Sequence, residues 1–349
     1  MAGRTVVITG GAGFIGVNAA EAFIRDGWHV VLFDNLSRKG TDLNLRYLRQ
    51  KYPTGCEFVL GDVRYDQFTL LRAVERAELV LHLAAQVAVT TSILRPVEDF
   101  EINARGSFNL LEAVRESGGK PLVIYSSTNK VYGGMPDVIC VKDATRYRFR
   151  DFPDGISENQ PLDFHSPYGC SKGAADQYIH DYGRIYDIPT VVFRQSCIYG
   201  QRQFGVEDQG WVAWFSIAAL FNRPITIYGD GLQVRDLLHI DDLIAAYRCA
   251  ASNPSKAAGN VFNMGGGPSR TLSLVELLAF LEKYIGRKIP VGHAEPRAGD
   301  QPVFVADIRK AEKELGWRPK IDPLPGIEML LKWVEANRAD VERVVATFG

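Results

Sequence analysis

Three side chains near the middle of the sequence have the types and spacing needed for proton transfer. Tyr168 and Lys172 stand four residues apart at the start of a helical pattern, so the phenol and the ammonium share one helix face. An ammonium beside a phenol favours the phenolate and lowers a pKa that is normally about 10. The pair therefore predicts a general base that works near neutral pH. This spacing alone is also typical of a solvated helix face, but Thr128 adds a hydroxyl that could share the substrate oxygen.

A glycine-rich stretch near the start of the chain could hold a diphosphate. Val6, Val7 and Ile8 form a β-branched run typical of a strand buried on both faces of a sheet. Before the next helical pattern come the glycines Gly10, Gly11, Gly13 and Gly16. Glycine allows a tight turn and a close approach of the anion, and the helix N-terminus offers N–H groups to it. The stretch predicts a dinucleotide site, with a glycine-rich surface turn as the alternative.

Strand-like and helical segments alternate through the first half of the chain. After the first strand, buried strands are predicted at residues 29–33, 57–60, 79–83, 122–125 and 190–193, with a last core strand at 260–263. This order predicts right-handed crossovers and an α/β fold with a doubly wound parallel sheet of the Rossmann type. Ligands bind at the carboxyl ends of such strands, where this sequence places its polar clusters.

Asp34 ends the second predicted strand, about twenty residues after the glycines. Its carboxylate would accept hydrogen bonds from an adenosine ribose, which favours NAD over NADP. Arg38 and Lys39 stand close by and could instead pair with a 2′-phosphate. Asp62 and Val63 end the third strand and could flank the adenine, although Asp62 could equally be a turn residue.

The second half of the chain is more broken. Residues 133–166 are rich in glycine and proline and predict a long irregular loop, either functional or mobile. After Gly200 the alternation fails. We predict an NAD-binding domain over residues 1–194 with a returning segment at about 236–264. A smaller, segment-exchanging substrate domain is then predicted from residues 195–235 and 265–349.

The composition narrows the class of protein. The chain of 349 residues is 46% hydrophobic and 23% charged, with a net charge of −1, so nucleic acid is not an expected partner. Five scattered cysteines and six histidines give neither a disulfide framework nor a metal-ligand spacing. Neither a leader segment nor a membrane span is expected, which predicts a cytoplasmic protein without a metal site.

The motifs together resemble the extended short-chain dehydrogenase/reductase family, in its nucleotide-sugar branch. The first half carries Gly10-x-x-Gly13-x-x-Gly16, Ser126-Ser127-Thr128 and Tyr168-x-x-x-Lys172. The second half carries Tyr199-Gly200-x-Arg202-Gln203, Arg235-Asp236-x-x-His239 and Arg297-x-Gly299-Asp300. The resemblance covers nearly the whole chain and implies bound NAD, a nucleotide-sugar substrate and a homo-oligomer formed through helices 107–117 and 168–185.

The resemblance also implies roles for individual residues. Tyr168, Lys172 and Thr128 would be catalytic. The residues implied in NAD binding are Gly10, Gly13, Phe14, Ile15, Asp34, Asn35, Asp62, Val63, Leu83, Ala84, Ala85, Gln86, Asn103, Ser126, Ser127, Tyr168, Lys172 and Gln195. Those implied in substrate binding are Thr128, Arg202, Gln203, Arg235, Arg297 and Asp300. Arg235 and Arg297 would hold the diphosphate, with surface ion pairs as the alternative, and Asp300 would touch the nucleoside ribose.

The residues after Thr128 separate two reactions within that branch. The 4,6-dehydratases of the family carry an acidic pair there, because elimination of water needs an additional acid and base. This chain has Asn129 and Lys130, which favours epimerisation. Residues 167–178, 202–204 and 208–215 and the 133–166 insertion resemble the CDP-sugar 2-epimerases more than the 4-epimerases. Trp211 and Trp214 in that stretch could also be core aromatics of a helix.

The sequence therefore supports one hypothesis and two rivals. In the hypothesis, Tyr168 takes the C2 hydroxyl proton of a CDP-sugar while hydride passes to NAD, and the 2-keto sugar is reduced again from its other face. One rival is a UDP-hexose 4-epimerase that uses the same residues. The other is a non-catalytic NAD-sensing protein, because a fold does not fix a function.

Overall fold

The computed structural model describes residues 4–297 and 299–346. Within these residues the strands are β1 (Thr5–Thr9), β2 (His29–Asp34), β3 (Cys56–Leu60), β4 (Leu79–His82), β5 (Leu122–Thr128), β6 (Cys140–Lys142), β7 (Tyr147–Phe149), β8 (Thr190–Gln195), β9 (Cys197–Tyr199), β10 (Ile225–Tyr228), β11 (Val234–His239), β12 (Val261–Met264), β13 (Thr271–Ser273), β14 (Val291–Ala294) and β15 (Val303–Phe304).

The α-helices are α1 (Phe14–Arg25), α2 (Thr41–Lys51), α3 (Gln67–Val74), α4 (Val89–Leu94), α5 (Pro96–Phe100), α6 (Gly106–Glu116), α7 (Ser166–Ile185), α8 (Trp211–Leu220), α9 (Ile240–Ser252), α10 (Pro254–Ala257), α11 (Leu274–Ile285), α12 (Arg309–Leu315), α13 (Pro323–Ala336) and α14 (Arg338–Ala346). A π-helical turn, Glu101–Arg105, joins α5 to α6, and a short 3₁₀ helix, Asn129–Tyr132, follows β5.

The main sheet has seven parallel strands in the order β12-β8-β5-β4-β1-β2-β3. The predicted doubly wound α/β fold is thereby confirmed. Strand order reverses between β1 and β4, and a crevice for ligands opens at such a point. The largest difference from the predicted strand ends is in β5, which continues to Thr128 instead of ending at Tyr125, so the hydroxyl run belongs to the strand.

Hydrophobic cores cover both faces of this sheet. Val6, Ile8 and Leu32 point to one face with α1 and α9, while Val7, Val80 and Val123 point to the other with α6 and α7. Alternate residues of one strand are therefore buried on opposite faces, as expected for a parallel sheet between two helical layers. The burial explains why the strands read as continuous apolar runs.

The second half of the chain builds a separate core and then returns to the sheet. Helices α8, α11, α13 and α14 pack around their own hydrophobic cluster. Strand β11 pairs with β9, β13 and β15, and the chain then runs through α9 into β12 at the edge of the main sheet. We keep the domain division at 1–194 with about 236–264, and 195–235 with 265–349, as a proposal.

Residues 133–166 are more ordered than the predicted irregular loop. Strands β6 and β7 form an antiparallel hairpin, and Ile156 makes an isolated bridge with Ala306. The basic side chains at 146–150 find acidic partners, including Arg146 with Glu276 at 2.5 Å. Long-range pairing of this kind has no local sequence signal. Among the described residues, no helix has the length and apolar content that crossing a membrane requires.

The glycine turn gives a direct test of the fold. A Cβ on Gly16 would lie 2.4 Å from the carbonyl oxygen of Gly10 and 2.7 Å from the Cα of Gly11. We expect Gly16→Ala to lower the free energy of unfolding by about 1–3 kcal/mol and to reduce the bound dinucleotide. Gly292→Ala is the control, because a Cβ there meets nothing within 4 Å. Thermal denaturation and the dinucleotide content measure both effects, and equal stability of the two variants would contradict the close-contact argument.

Candidate active site

Two cavities adjoin at the carboxyl ends of the sheet strands. The first cavity is lined by these predicted cofactor residues: Gly10, Gly13, Phe14, Ile15, Asp34, Asn35, Asp62, Val63, Leu83, Ala84, Ala85, Ser126, Ser127, Tyr168, Lys172 and Gln195. The second cavity is lined by Thr128, Lys130, Trp211, Arg235, Arg297 and Asp300, among others. Tyr168 lines both cavities, so its phenol lies where they meet.

The glycine turn is shaped to hold an anion. Gly10 has a φ of +69°, and a Cβ on it would lie 2.8 Å from the backbone nitrogen of Ala84. Helix α1 begins at Phe14, and its N-cap residue, Gly13, has no side chain to bond the first N–H groups. Those N–H groups and the positive end of the helix dipole suit a diphosphate at the edge of the first cavity. The turn therefore fits the dinucleotide that the sequence predicted.

Asp34 lies beside this turn and is 8% exposed. Its carboxylate accepts hydrogen bonds from the backbone N–H of Ala12 at 3.0 Å and of Leu36 at 2.8 Å. Burial raises the pKa of Asp34, and the two backbone donors act in the opposite direction. The side chain thus fixes the turn and presents lone pairs to the cavity, where ribose hydroxyls could donate to them.

Asp62 organises a turn and also lines the first cavity, and its contact with the adenine stays a prediction. Its carboxylate accepts from Asn35 Nδ2 at 2.8 Å and from the Arg64 guanidinium at 2.8 and 3.0 Å, so it organises its own turn. Burial would raise the pKa of Asp62, but the hydrogen bonds from Arg64 and Asn35 outweigh it and lower the pKa to about 2. With Val63 it also lines the first cavity.

Gln86 and Asn103 are not among the residues that line the first cavity, contrary to their predicted contact with NAD. Instead they bond to each other, through Gln86 N to Asn103 Oδ1 at 2.9 Å and Asn103 Nδ2 to Gln86 O at 3.0 Å. Both also donate to the fully buried carboxylate of Asp99, which accepts from Ser171 too. Asn103 lies in the π-helical turn, which directs it to this network, so the two residues support the cavity wall from behind.

The prediction that Lys172 lowers the pKa of Tyr168 is wrong for this structure. Burial raises the pKa of the phenol to about 12; the hydrogen bond with Thr128 and the charge of Arg38 lower it less, and Asp99 raises it further. The ammonium of Lys172 instead donates to the carbonyl oxygen of Ser126 at 2.6 Å and lies 4.3 Å from the ring centre of Tyr125. Further positive charge in the first cavity would favour loss of the phenol proton.

Lys172 is itself affected by burial. Its surroundings lower the pKa of the ammonium to about 7, although Asp176 and Asp99 act to raise it. A bound group whose hydroxyl oxygens accept hydrogen bonds from the ammonium would favour the charged form of Lys172 at neutral pH. Thr128 completes the arrangement, because its hydroxyl accepts from the backbone N–H of Lys130 at 3.2 Å and bonds to Tyr168.

The predicted diphosphate residues meet in the second cavity, each with an acidic partner. Arg235 donates to Asp300 at 2.5 Å. Arg297 pairs with Asp208 at 3.1 Å and lies 4.0 Å from the ring centre of Tyr228. The alternative of ion pairs is therefore realised, and both guanidinium groups still line the cavity. Of the two tryptophans, Trp211 lines the cavity, whereas Trp214 packs against the second core.

Arg202 and Gln203 are not brought to the second cavity, where a substrate role would place them. Both line the first cavity, with the Arg202 guanidinium 3.0 Å from the ring centre of Tyr47. The reason is the path of the chain after β9, which crosses the start of α1, where Asn18 Nδ2 donates to Gln201 O at 3.1 Å. We therefore propose that Arg202 and Gln203 belong to the dinucleotide site.

The sequence reasoning missed two residues of the site. The sequence argument used Lys130 only to show that a carboxylate is missing after Thr128, yet Lys130 lines the second cavity. Asp99 stands four residues before Asn103, a helical spacing that could have indicated a shared face. Its burial could not be read from the sequence, because it depends on α7 packing against α5.

The carboxylate of Asp34 predicts a preference between cofactors. The 2′-phosphate of NADPH would be repelled by a buried carboxylate beside it. We therefore expect the protein, once freed of bound dinucleotide, to bind NADH at least roughly 10-fold more tightly than NADPH. Asp34→Asn should narrow this ratio, whereas Asp42→Asn on the exposed side of α2 should leave it unchanged. Fluorescence titration measures both affinities. Equal affinities of the unmodified protein would mean that Arg38 and Lys39 decide the preference.

Comparison with known proteins agrees with this geometry. The model of the NAD dependent epimerase/dehydratase family matches residues 6–265. The chain is 47% identical over 337 residues to CDP-paratose 2-epimerase of Salmonella typhi, covering 95% of this chain and 99% of that protein. It is 33% identical over 325 residues to UDP-glucose 4-epimerase of Mycolicibacterium smegmatis, covering 93% and 96%.

Solved structures have the same fold. UDP-glucose 4-epimerase of Thermotoga maritima with UDP-glucose matches with a TM-score of 0.82 at 30% identity, covering 96% of this chain and all of that one. The Thermus thermophilus UDP-glucose 4-epimerase complex with NAD matches with a TM-score of 0.79 at 31% identity, covering 95% and 99%. With its glycine turn, its buried Asp34 and its Tyr168 between two cavities, the chain belongs to the NAD dependent epimerase/dehydratase family.

Proposed function

We propose that this protein inverts C2 of a CDP-hexose, converting CDP-paratose to CDP-tyvelose. The observation that carries the proposal is Tyr168, which is bonded to Thr128 and lies on the wall common to both cavities. A sugar in the second cavity can therefore meet a nicotinamide in the first at this phenol. The 47% identity with CDP-paratose 2-epimerase of Salmonella typhi supports the choice of sugar and carbon.

Three side chains carry the proton steps in this proposal. Tyr168 accepts the proton of the C2 hydroxyl, and Thr128 donates a hydrogen bond to the same oxygen and can relay the proton. Lys172 binds the nicotinamide ribose and favours the phenolate once its own ammonium form is stabilised. NAD, when bound, would supply a hydride acceptor and then a hydride donor for C2, so no external reductant would be consumed.

In this proposal the diphosphate of the substrate stays fixed in the second cavity while the hexose moves. Arg235 and Arg297 can hold the diphosphate, because a guanidinium binds two phosphate oxygens at once. The hexose must then turn to present its other face to Tyr168. Beside Thr128 stand Asn129 and Lys130 rather than two carboxylates, which supports epimerisation over elimination of water.

The proposal predicts turnover without added cofactor. We expect the purified protein to convert CDP-paratose to a mixture with CDP-tyvelose, and NMR locates the inverted carbon. Deuterium placed at C2 should remain there in unlabelled water, because the hydride returns to the carbon that it left. Tyr168→Phe should keep the bound NAD and lower kcat by roughly 10²-fold or more.

Other outcomes would point to the rivals. Inversion of UDP-glucose at C4 in preference to CDP-paratose at C2 identifies a 4-epimerase. Bound NAD together with no inversion at any carbon of any nucleotide sugar tested supports a non-catalytic role. Wild-type turnover in Tyr168→Phe would remove the phenol from the mechanism even if C2 is inverted.

We also propose that the protein forms a homo-oligomer through the outer faces of α6 and α7. Phe108 is 39% exposed and Tyr178 is 48% exposed, and their ring centres lie 5.7 Å apart. A joint apolar surface of this kind marks an interaction site.

The five free cysteines among the described residues suit a reducing compartment, which supports the cytoplasm as the location.

This interface predicts an effect of charge on assembly. Tyr178→Glu should turn the oligomer into monomers, because an unpaired carboxylate in an apolar contact is costly. Met329→Glu is the matched control, since Met329 is 42% exposed on α13, which packs against α8 and α14 instead of α6 and α7. Sedimentation velocity distinguishes the species. A monomeric wild-type protein, or an unchanged oligomer in Tyr178→Glu, would contradict this interface.

A further inference from the structure

Lys130 occupies a position between the reacting groups and the diphosphate residues. Its backbone N–H donates to Thr128 Oγ1 at 3.2 Å, so its main chain is fixed to the hydroxyl beside Tyr168. Its side chain is 20% exposed and lines the second cavity. The ammonium Nζ lies 3.4 Å from Gln301 Oε1 and 3.7 Å from Asp300 Oδ1.

These partners leave the ammonium incompletely compensated. Asp300 is held more closely by Arg235, at 2.5 Å, and Gln301 is a neutral acceptor. An ammonium can donate three hydrogen bonds, so Nζ can still donate one to an oxygen of a bound ligand. The loss of water and the charge of Arg235 lower the pKa of Lys130 to about 8, against the smaller effect of Asp300. A further oxygen at Nζ would stabilise the charged form.

The location indicates which part of a ligand supplies that oxygen. The two guanidinium groups of Arg235 and Arg297 can serve the diphosphate. The main chain of Lys130 is tied to Thr128 at the reacting end, and its ammonium lies beside Asp300, the partner of Arg235, so the side chain runs from the reacting end toward the diphosphate residues. We propose that Lys130 binds the hexose, its ammonium donating a hydrogen bond to a sugar oxygen next to the reacting carbon. The inference rests on the proposed function in one respect, that the reacting carbon lies at Tyr168 and Thr128.

A pair of ligands isolates this contact. CDP-paratose carries the hexose and CDP lacks it, so we compare their dissociation constants by calorimetry in the NAD-loaded protein. Lys130→Met should weaken CDP-paratose by roughly 10-fold or more, the effect of losing a hydrogen bond from a charged group, and change CDP by less than about 2-fold. Asp300 keeps Arg235 as its partner in this variant. Lys142→Met is the control, a 58% exposed lysine paired with Asp230.

The unmodified protein provides a second measurement that needs no variant. Because the pKa of Lys130 is lowered to about 8, we expect the affinity for CDP-paratose relative to CDP to fall as pH rises from 7 to 9. Of the acidic groups that act on Lys130, the pKa of Asp300 lies below its usual value, and burial raises the pKa of the Cys197 thiol to about 11.

The outcomes separate this proposal from the proposed function. Equal weakening of CDP and CDP-paratose in Lys130→Met would make Lys130 a diphosphate residue, and no weakening of either would make it structural; both overturn the proposal. The same comparison with UDP-glucose and UDP covers a protein that acts on another sugar. Failure to invert C2 refutes the proposed function, while the ratio of affinities still decides on Lys130. If neither pair of ligands binds, both proposals fall.

Discussion

The site depends on the burial of one phenol between two cavities. Tyr168 is 8% exposed, and the contact with water that would stabilise its phenolate is largely removed. Burial therefore opposes the charge that the proposed chemistry needs, and the pKa of about 12 expresses that opposition. The same burial brings the phenol to the wall of both cavities. A dry position is required for hydride transfer, so the protein must compensate the phenolate with charge from a ligand or from Lys172.

The elements around Tyr168 hold it rigidly enough for this purpose. Its backbone N–H donates to Ser92 Oγ at 3.1 Å, which ties the start of α7 to α4. Further along α7, Asp176 forms a buried two-point ion pair with Arg194 at 2.9 and 3.0 Å and accepts from Ser127 at 2.7 Å. These bonds connect α7 to the ends of β5 and β8. The catalytic helix and the strand that carries Thr128 therefore keep a fixed relation, as positioning of reacting groups requires.

Local patterns in the sequence predicted the fold. Most of the residues that the resemblance implied in NAD binding line the first cavity, and their contact with NAD stays a prediction. Buried parallel strands such as β1 and β2 are apolar between their end residues, and the glycine turn requires a residue that tolerates a positive φ at Gly10. The path of the chain past α1, which takes Arg202 to the first cavity, has no such local signal. Neither does the bonding of Gln86 with Asn103. The direction in which the Tyr168 pKa is shifted could not be predicted from the sequence either. Spacing shows which groups are near one another, but it does not show how much water the fold excludes.

The ion pairs of two arginines affect the free energy of the substrate binding proposed above. Arg235 and Arg297 hold Asp300 and Asp208, so in the proposed binding mode a diphosphate would replace carboxylate oxygens rather than water at part of each guanidinium. The net gain is a difference between two similar interactions, and it is smaller than the contacts alone would suggest. A moderate affinity for the diphosphate is also suited to the proposed cycle, in which the nucleotide stays bound while the hexose turns. In the free protein Asp300 and Asp208 pair with Arg235 and Arg297, while Lys130 lies 3.7 Å from the Asp300 carboxylate that Arg235 holds more closely. A nucleotide bound as proposed would have to compete with these two carboxylates.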